Sequence, residues 1–221
     1  MPGPLTALAP LAPVRVRPAT DADIGAVRRL RAASWRAAYA GILPPVYLEA
    51  MDTGPEEVAR AVRDFRQNPP DRHLLVAERD GRIVAFVSCG PERPMPEHLR
   101  TGVPHGEVYA LYAHPEAWST GAGAPLLAAA LERLRADGRE RAVLWVLAAN
   151  TRARAFYERQ GLRPTGRCGE LRLGGAVLPE LQYGTTAVPV GPAPAAAAPL
   201  AEGAPVHAQR QTAVTPVRRG A

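Results

Sequence analysis

One stretch of the chain, residues 107–134, restricts the fold more than any other. It begins with the aromatic and aliphatic run Val108–Ala113, whose composition predicts a β-strand. A loop of small residues, Ser119–Ala124, follows, and then leucines and alanines recur at helical spacing up to Leu134. Pro125 fits only in the first turn of that helix, where a missing backbone N–H costs nothing. The helix is therefore predicted to begin within the small-residue loop.

A strand that feeds a glycine loop at the start of a helix predicts an anion site. The free N–H groups of the first helical turn and the positive end of the helix dipole meet at one point, which suits a phosphate. A nucleotide-binding P-loop is excluded because no GK[ST] sequence follows, and a Rossmann motif would need a third glycine near Leu126. Taken alone, Gly121 and Gly123 fit a turn without a ligand equally well.

The rest of the chain reads as alternating helices and hairpins. Thr20, with Asp23 three residues on, predicts a capped helix, and Asp80-Gly81 between two apolar runs predicts a β-hairpin. The nearly all-apolar run Ala142–Leu147 predicts a central strand buried on both faces. Further predicted elements are a strand at 14–17, helices at 55–67 and 150–160, and a second hairpin around residues 174 and 175.

Composition divides the 221 residues into three segments. Many of the 24 prolines and 20 glycines fall near the two ends of the chain. Residues 1–13 are predicted to be a disordered leader, residues 14–187 one folded domain, and residues 188–221 a disordered Pro/Ala-rich tail that cannot offset its ordering entropy. The leader has neither a basic n-region nor an uninterrupted apolar run, so we expect no signal peptide and no membrane span.

The net charge of +6 comes from arginines spread along the chain, with no lysine. Spread charge without a recognised motif argues against a nucleic-acid partner. A third, weaker hypothesis keeps such a role for the basic segment from Arg210 to Arg219. Cys89 and Cys168 lie far apart, and both are interpreted as packing residues of a reduced, cytoplasmic protein.

Two stretches resemble the GNAT superfamily of acetyl-CoA-dependent N-acetyltransferases. The first is Leu111–Pro115 with Trp118–Ala124, which is similar to the family's strand and pyrophosphate loop. Trp118 stands where the family has Gln or Arg, while Gly121 and Gly123 are in register. The second is Asn150–Leu162, which resembles the family's Asn…Phe-Tyr…Gly-Phe motif with leucine in the last place. The resemblance spans residues 14–187 and implies a mixed, mostly antiparallel α/β sheet of about seven strands flanked by helices.

The resemblance also implies acetyl-CoA as co-substrate, with no metal. The residues that it implies for binding the coenzyme are Leu111, Tyr112, Ala113, Ser119, Thr120, Gly121, Ala122, Gly123, Ala124 and Asn150. Asn150 would reach the pantetheine arm, although it also reads as a plain helix N-cap.

Two residues are candidates for acid–base catalysis. Tyr157 lies two helical turns after Asn150 and, by the same resemblance, near the sulfur, where its phenol could protonate the leaving thiolate. The alternative for Tyr157 is a core aromatic beside Phe156. Glu107 matches a glutamate that serves as general base in histone-type members, since an ammonium must lose a proton before it attacks a thioester. The alternative for Glu107 is a solvated strand-edge residue. The backbone N–H of Tyr112 is a candidate oxyanion donor.

The acceptor side is less defined. Trp35 and Tyr39 lie four residues apart on one helix face, and Tyr109 shares a strand face with Glu107. These three could line the acceptor cleft, although Trp35 also fits the core. The proline-rich loop 90–106, with His98 and His105, could act as a lid. Its histidines lack metal-ligand spacing.

The sequence thus predicts an N-acetyltransferase that moves an acetyl group to a small-molecule or peptide amine by direct attack in a ternary complex. Transfer of a longer acyl group, or transfer to a hydroxyl, stays open. So does a catalytically weak acyl-CoA-binding module with a regulatory role, which Trp118 favours. The second hairpin offers strands for a homodimer.

Overall fold

The computed structural model describes residues 12–94, 105–139 and 141–185. Nearly all of the predicted leader, the central part of the predicted lid loop, and the tail 188–221 lie outside the described residues.

Seven strands form a mostly antiparallel sheet with flanking helices, which confirms the predicted fold class. The strands are β1 Arg15–Pro18, β2 His73–Arg79, β3 Arg82–Pro91, β4 His105–Ala113, β5 Arg141–Leu147, β6 Arg163–Leu173 and β7 Ala176–Gly184. The helices are α1 Ile24–Ala38, α2 Pro45–Glu49, α3 Pro55–Arg66, α4 Gly123–Ala136 and α5 Thr151–Arg159. Among the described residues, no helix combines the length and apolarity needed to cross a bilayer.

The chain divides into two units, the first ending at Val143 and the second beginning at Leu144. In the first unit, β1, β2, β3 and β4 pair in chain order, each antiparallel to the next. Phe86 of β3 packs with Val27 and Leu30 of α1, whereas the Cys89 Sγ lies 3.8 Å from the Ala130 carbonyl of α4. Because odd and even residues of a strand point to opposite faces, α1 and α4 cover the two faces of this part of the sheet.

The predicted capping box forms. The Asp23 carboxylate accepts hydrogen bonds from the Thr20 N–H at 2.8 Å and from the Thr20 hydroxyl at 2.9 Å, at the entry to α1. Arg17 on β1 donates to both oxygens of Asp23, and this hydrogen-bonded ion pair holds the pKa of Asp23 well below its usual range. The first strand is thereby fixed to the first helix.

The predicted first hairpin also forms, with positive φ at Asp80 and Gly81 as a two-residue turn of this type requires.

Strands β3 and β4 are longer than the sequence pattern predicted. β3 continues to Pro91 and β4 begins at His105, so the segment between them is shorter than the predicted loop 90–106. The backbone pairing of β3 with β4 at these extra positions extends both strands past their apolar runs.

Strand β4 is irregular at Tyr109. Ser88 pairs with Ala110 and Cys89 pairs with Val108, so Tyr109 is an extra residue on β4, a β-bulge. Bulges bend a strand and redirect one side chain, and they concentrate near active sites. Next to the bulge, Gly106 packs so closely on α4 that a Cβ there would come within 2.8 Å of two carbons of Leu134.

In the second unit, β6 and β7 form the predicted second hairpin, which is longer than expected because β6 begins at Arg163. Asn150 caps α5: its side-chain oxygen accepts a hydrogen bond from the Ala153 N–H at 3.1 Å. Cys168 is exposed on β6, so its interpretation as a packing residue was wrong. Side chains alternate along a hairpin strand, and Cys168 falls on the outward face.

We expect Gly106→Ala to lower the free energy of unfolding by about 1–3 kcal/mol, because the buried Leu134 must move to admit a methyl group. Gly25→Ala in α1 is the matched control. Its Cβ would lie 3.4 Å or more from any other group, so alanine should stabilise the helix by about 0.5–1 kcal/mol. Urea unfolding of the two variants measures both effects, and equal stability would contradict the close packing of β4 on α4.

Candidate active site

Glu107 lies inside the protein, not at a strand edge. It is the third residue of β4 and is 1% exposed. The backbone N–H of Arg93 donates to its Oε2 at 3.0 Å, and the Arg93 guanidinium donates to both carboxylate oxygens. The interpretation of Glu107 as a solvated edge residue is therefore wrong. Its carboxylate is buried, and hydrogen bonds from Arg93 to both oxygens hold it in one orientation.

Tyr109 follows Glu107 at the bulge and shares its arginine. The guanidinium carbons of Arg93 and Arg72 lie 5.4 Å and 5.2 Å from the Tyr109 ring centroid. The phenol donates a hydrogen bond to the Pro91 carbonyl. Burial is the main cause that raises the pKa of Tyr109 to about 12, and nearby Arg72 opposes the shift. Tyr109 is thus a neutral hydrogen-bond donor at physiological pH. This predicted acceptor-site residue and Glu107 contact the same arginine, Arg93.

The glycine loop leaves the other end of β4. Gly121 has φ of 88°, and Gly123 is the first residue of α4, so Pro125 occupies the first turn as predicted. The N–H groups of that turn have no partner within the helix. Thr120 differs: its N–H is engaged by the Ala117 carbonyl at 3.4 Å. The loop therefore presents the amides around Gly121 and Gly123 and not the whole predicted run from Ser119 to Ala124.

Trp118 anchors the loop to the strand. Its indole N–H donates to the Ala113 carbonyl, the last residue of β4, at 3.0 Å. The next residue, Ser119, has φ of 62°, a left-handed conformation that non-glycine residues seldom adopt. Trp118 thus has a structural role at the position where the resembled family has Gln or Arg.

Arg79, which the sequence pattern did not indicate as a functional residue, donates hydrogen bonds to this loop. Arg79, the last residue of β2, donates from Nη1 to the Thr120 hydroxyl and from Nη2 to the Thr120 carbonyl, both at 2.9 Å. The Thr120 hydroxyl in turn donates to the Ala117 carbonyl at 2.8 Å. No local pattern around Arg79 indicates this contact, which depends on β2 and the loop meeting in the folded chain.

The predicted acceptor residues Trp35, on α1, and Tyr39, which directly follows α1, belong to an aromatic cluster. Trp35 is 4% exposed, and its ring centroid lies 5.1 Å from that of Tyr39, 6.5 Å from Tyr47 and 6.2 Å from Tyr112. Tyr39 is likewise buried. This degree of burial favours the core interpretation of Trp35, while its contact with Tyr112 links α1 to the strand that carries Glu107.

In the second unit, Tyr157 is buried and its ring packs against Phe156 and Tyr183, with centroids 5.3 Å and 6.4 Å apart. The Tyr183 hydroxyl donates to Glu158 at 2.8 Å and accepts from Arg154 at 3.3 Å. Asn150, the cap of α5, stands two turns before Tyr157 on the same helix face. Asn150 as a helix cap and Tyr157 as a packed aromatic can still have their predicted roles, at the pantetheine arm and near the sulfur.

Strand β4 separates two chemically different ends. Glu107 and Ala113 are six residues apart on one strand, which corresponds to about 20 Å. One end carries a buried carboxylate, and the other carries a glycine loop and a helix N-terminus, whose first-turn N–H groups have no partner within the helix. Such spacing suits an elongated ligand with an anionic head and a reactive end.

The Cys89 thiol is not suited to act as a nucleophile. Burial raises the pKa of the Cys89 thiol to about 12, so it does not form the thiolate that a nucleophile needs. In the ranges that the structure describes, no three His, Cys, Asp or Glu side chains form a group that could hold a metal ion. His105, from the predicted lid, is buried with its Nδ1 3.2 Å from Glu92.

Residues 34–162 match the family described as "Acetyltransferase (GNAT) family". The chain belongs to this family. The predicted family is thereby confirmed.

Two relatives agree with the GNAT assignment. An uncharacterized N-acetyltransferase of Archaeoglobus fulgidus is 40% identical over 91 residues, which cover 41% of this chain and 59% of that protein. The uncharacterized N-acetyltransferase YuaI of Bacillus subtilis is 30% identical over 141 residues, 62% of this chain and 73% of YuaI. The chain thus spans less than two thirds of the archaeal relative and nearly three quarters of the bacterial one.

A solved GNAT structure shares the fold. The PaiA N-acetyltransferase from Thermoplasma acidophilum, determined in complex with coenzyme A, superimposes with a TM-score of 0.55 at 20% identity. The alignment covers 76% of this chain and 97% of that one.

Proposed function

We propose that this GNAT protein transfers the acetyl group of acetyl-CoA to an amine by direct attack in a ternary complex. The observation that carries the proposal is strand β4, with a glycine loop and a helix N-terminus at one end and the buried carboxylate of Glu107 about 20 Å away. The coenzyme is a long molecule with a diphosphate near one end and a thioester at the other, so it matches this spacing.

The loop would bind the diphosphate. The amides around Gly121 and Gly123 and the dipole of α4 favour an anion there. Leu111, Tyr112 and Ala113 would pair with the pantetheine arm, and the Tyr112 N–H would stabilise the oxyanion of the tetrahedral intermediate. Asn150 would contact the same arm.

In the reaction, the acceptor ammonium first loses a proton to Glu107, and the neutral nitrogen attacks the thioester carbonyl carbon. A C–N bond forms, the nitrogen of the tetrahedral intermediate gives up its second proton to water, and the C–S bond breaks to leave a neutral amide. The coenzyme A thiolate leaves and, in the role that the family resemblance implies, the Tyr157 phenol gives it a proton. No covalent enzyme intermediate is involved.

Glu107 must be released before it can act as a base. A carboxylate has about four lone-pair positions, and the Arg93 guanidinium and backbone N–H engage both oxygens. We propose that the cationic acceptor displaces the guanidinium from one oxygen, so that one cation exchanges for another. The same occupied carboxylate also supports a second candidate function, an acyl-CoA-binding module without catalysis.

A titration calorimeter and a thiol-release assay test these candidates. We expect acetyl-CoA to bind and coenzyme A to be released when the right amine of a broad panel is added. Binding without release on any amine would favour the module. Absence of binding would contradict both.

We expect Arg79→Ala to weaken acetyl-CoA binding about 10-fold, through a raised KM and a raised calorimetric Kd, while kcat at saturation changes little. The reason is that Arg79 orders Thr120 in the diphosphate loop before the ligand arrives. Arg82→Ala is the matched control, since Arg82 pairs with Arg79 across the hairpin and is exposed. Equal Kd values for the two variants would show that Arg79 does not order the loop for binding.

We expect Glu107→Gln to lower kcat at least about 100-fold with little change in KM for acetyl-CoA, because the base is lost.

Tyr157→Phe should lower kcat mainly with poor acceptors, for which thiolate departure limits the rate.

Arg93→Lys separates catalysis from the ion pair. It keeps the positive charge but loses the two-pronged geometry of the guanidinium, so it weakens the pair while leaving the carboxylate in place. Retained turnover in Arg93→Lys beside lost turnover in Glu107→Gln supports the base. Similar losses in both variants, with similarly lowered Tm, would assign Glu107 to structure alone.

A further inference from the structure

Three residues on one face of α5 contact a single tyrosine of β7. Tyr157 and Glu158 follow Arg154 by three and four positions, which places all three on one side of the helix. The Tyr183 hydroxyl donates to a Glu158 carboxylate oxygen at 2.8 Å and accepts from the Arg154 Nε at 3.3 Å. The Tyr183 ring packs on the Tyr157 ring, with centroids 6.4 Å apart. One side chain of the sheet is therefore in contact with each of the three helix residues.

Tyr183 is held in one orientation. Its side chain is 0% exposed, so neighbouring atoms enclose the ring. Its hydroxyl lies between a carboxylate and a guanidinium, and hydrogen bonds to charged groups are stronger than those between neutral groups. The ring cannot move without stretching both of these hydrogen bonds. Tyr183 is thus a fixed surface against which Tyr157 packs.

The same network holds the start of α5. The Arg154 Nη1 donates to the Ala148 carbonyl at 3.1 Å, and the Ala148 N–H donates to the Pro179 carbonyl of β7 at 2.8 Å. Ala148 lies two residues before Asn150, the N-cap of α5. The helix is therefore tied to β7 near its first turn as well as beside Tyr157, and these two ties set its place on the strand.

We propose that Tyr183 is a positioning residue for the Tyr157 phenol, the proton donor of the proposed acetyl transfer, on which this inference rests. Proton transfer needs the donor oxygen within hydrogen-bond reach of the leaving atom, and a misplacement of about 1 Å can lower a rate about 100-fold. The helix backbone alone does not fix the rotation of the Tyr157 ring. Contact with the fixed Tyr183 ring restricts that rotation, so Tyr183 acts through Tyr157 and not on the substrate.

Tyr183→Phe tests the proposal because it keeps the ring and removes only the hydroxyl. Without its two hydrogen bonds the ring is no longer fixed. We expect kcat to fall about 10-fold with poor acceptors, for which thiolate departure limits the rate, and less than about twofold with good acceptors. KM for acetyl-CoA should change little. The measurement is thiol release at saturating acetyl-CoA across amines of graded reactivity.

A double-variant cycle distinguishes positioning from an independent effect. If Tyr183 acts through Tyr157, adding Tyr183→Phe to Tyr157→Phe removes nothing further. The double variant should then have the kcat of Tyr157→Phe alone with every acceptor. Losses that multiply would show that Tyr183 acts independently of Tyr157, and they would overturn the inference.

Thr165→Val is the matched structural control. The Thr165 hydroxyl donates to the Gln182 side chain at 2.9 Å, so this substitution also removes a hydrogen bond to β7. Gln182 directly precedes Tyr183 and points to the opposite face of the strand. Thr165→Val should lower the Tm but leave kcat with poor acceptors unchanged. Equal losses of kcat with poor acceptors in Thr165→Val and Tyr183→Phe would assign Tyr183 to structure alone.

Glu158 allows a rescue by a conservative substitution. Glu158→Gln keeps a carbonyl oxygen that accepts from the Tyr183 hydroxyl, so it should keep most of the kcat with poor acceptors. Glu158→Met removes the acceptor and should lose kcat as Tyr183→Phe does. The Glu158 side chain is exposed, so both variants should fold. Equal turnover of the two variants would contradict a role for the hydroxyl contact.

Failure of this inference and failure of the proposed function give different results. Full turnover of Tyr183→Phe with every acceptor would overturn the inference and leave the acetyl transfer standing. Binding of acetyl-CoA to the wild type without thiol release on any amine would instead overturn the proposed function.

Discussion

The antiparallel pairing of β3 with β4 is the constraint on which the first unit depends. It fixes the register of β4, including the bulge at Tyr109, and thereby sets where each functional group points. On one side of the bulge, Gly106 lets α4 approach closely and Glu107 turns inward. On the other, Tyr112 contacts the aromatic cluster and Ala113 receives the Trp118 indole. A shift of the β3–β4 register by one residue would turn every side chain of β4 to the opposite face of the sheet.

Local signals in the sequence were sufficient wherever a structure depends on neighbouring residues. The Thr20–Asp23 box, the Asp80-Gly81 turn, the start of α4 near Pro125 and the Asn150 cap all formed as predicted. These features are decided by backbone conformation and by hydrogen bonds within a few residues. The same reasoning explains the errors in strand length, because the ends of β3 and β4 are set by pairing with each other and not by their own composition.

The arginines show what the sequence could not reveal. Arg79, Arg93 and Arg31 look alike among evenly spread arginines, yet one holds the glycine loop, one holds Glu107, and one is buried on Trp35. Their partners are 41, 14 and 4 residues away in the chain. Only the partner of Arg31 lies within one helical turn, and even there the sequence pattern does not distinguish a buried guanidinium from an exposed one. The role of each arginine is therefore set by the residues that it contacts in the folded chain.

Arg93 then sets the electrostatic requirement at the acceptor end of the proposed site. It lies against the buried carboxylate of Glu107, so a cationic group of a ligand can replace its guanidinium there. Because an unpaired charge is costly to bury, the exchange of one cation for another keeps the Glu107 carboxylate paired until the ligand gives up its proton.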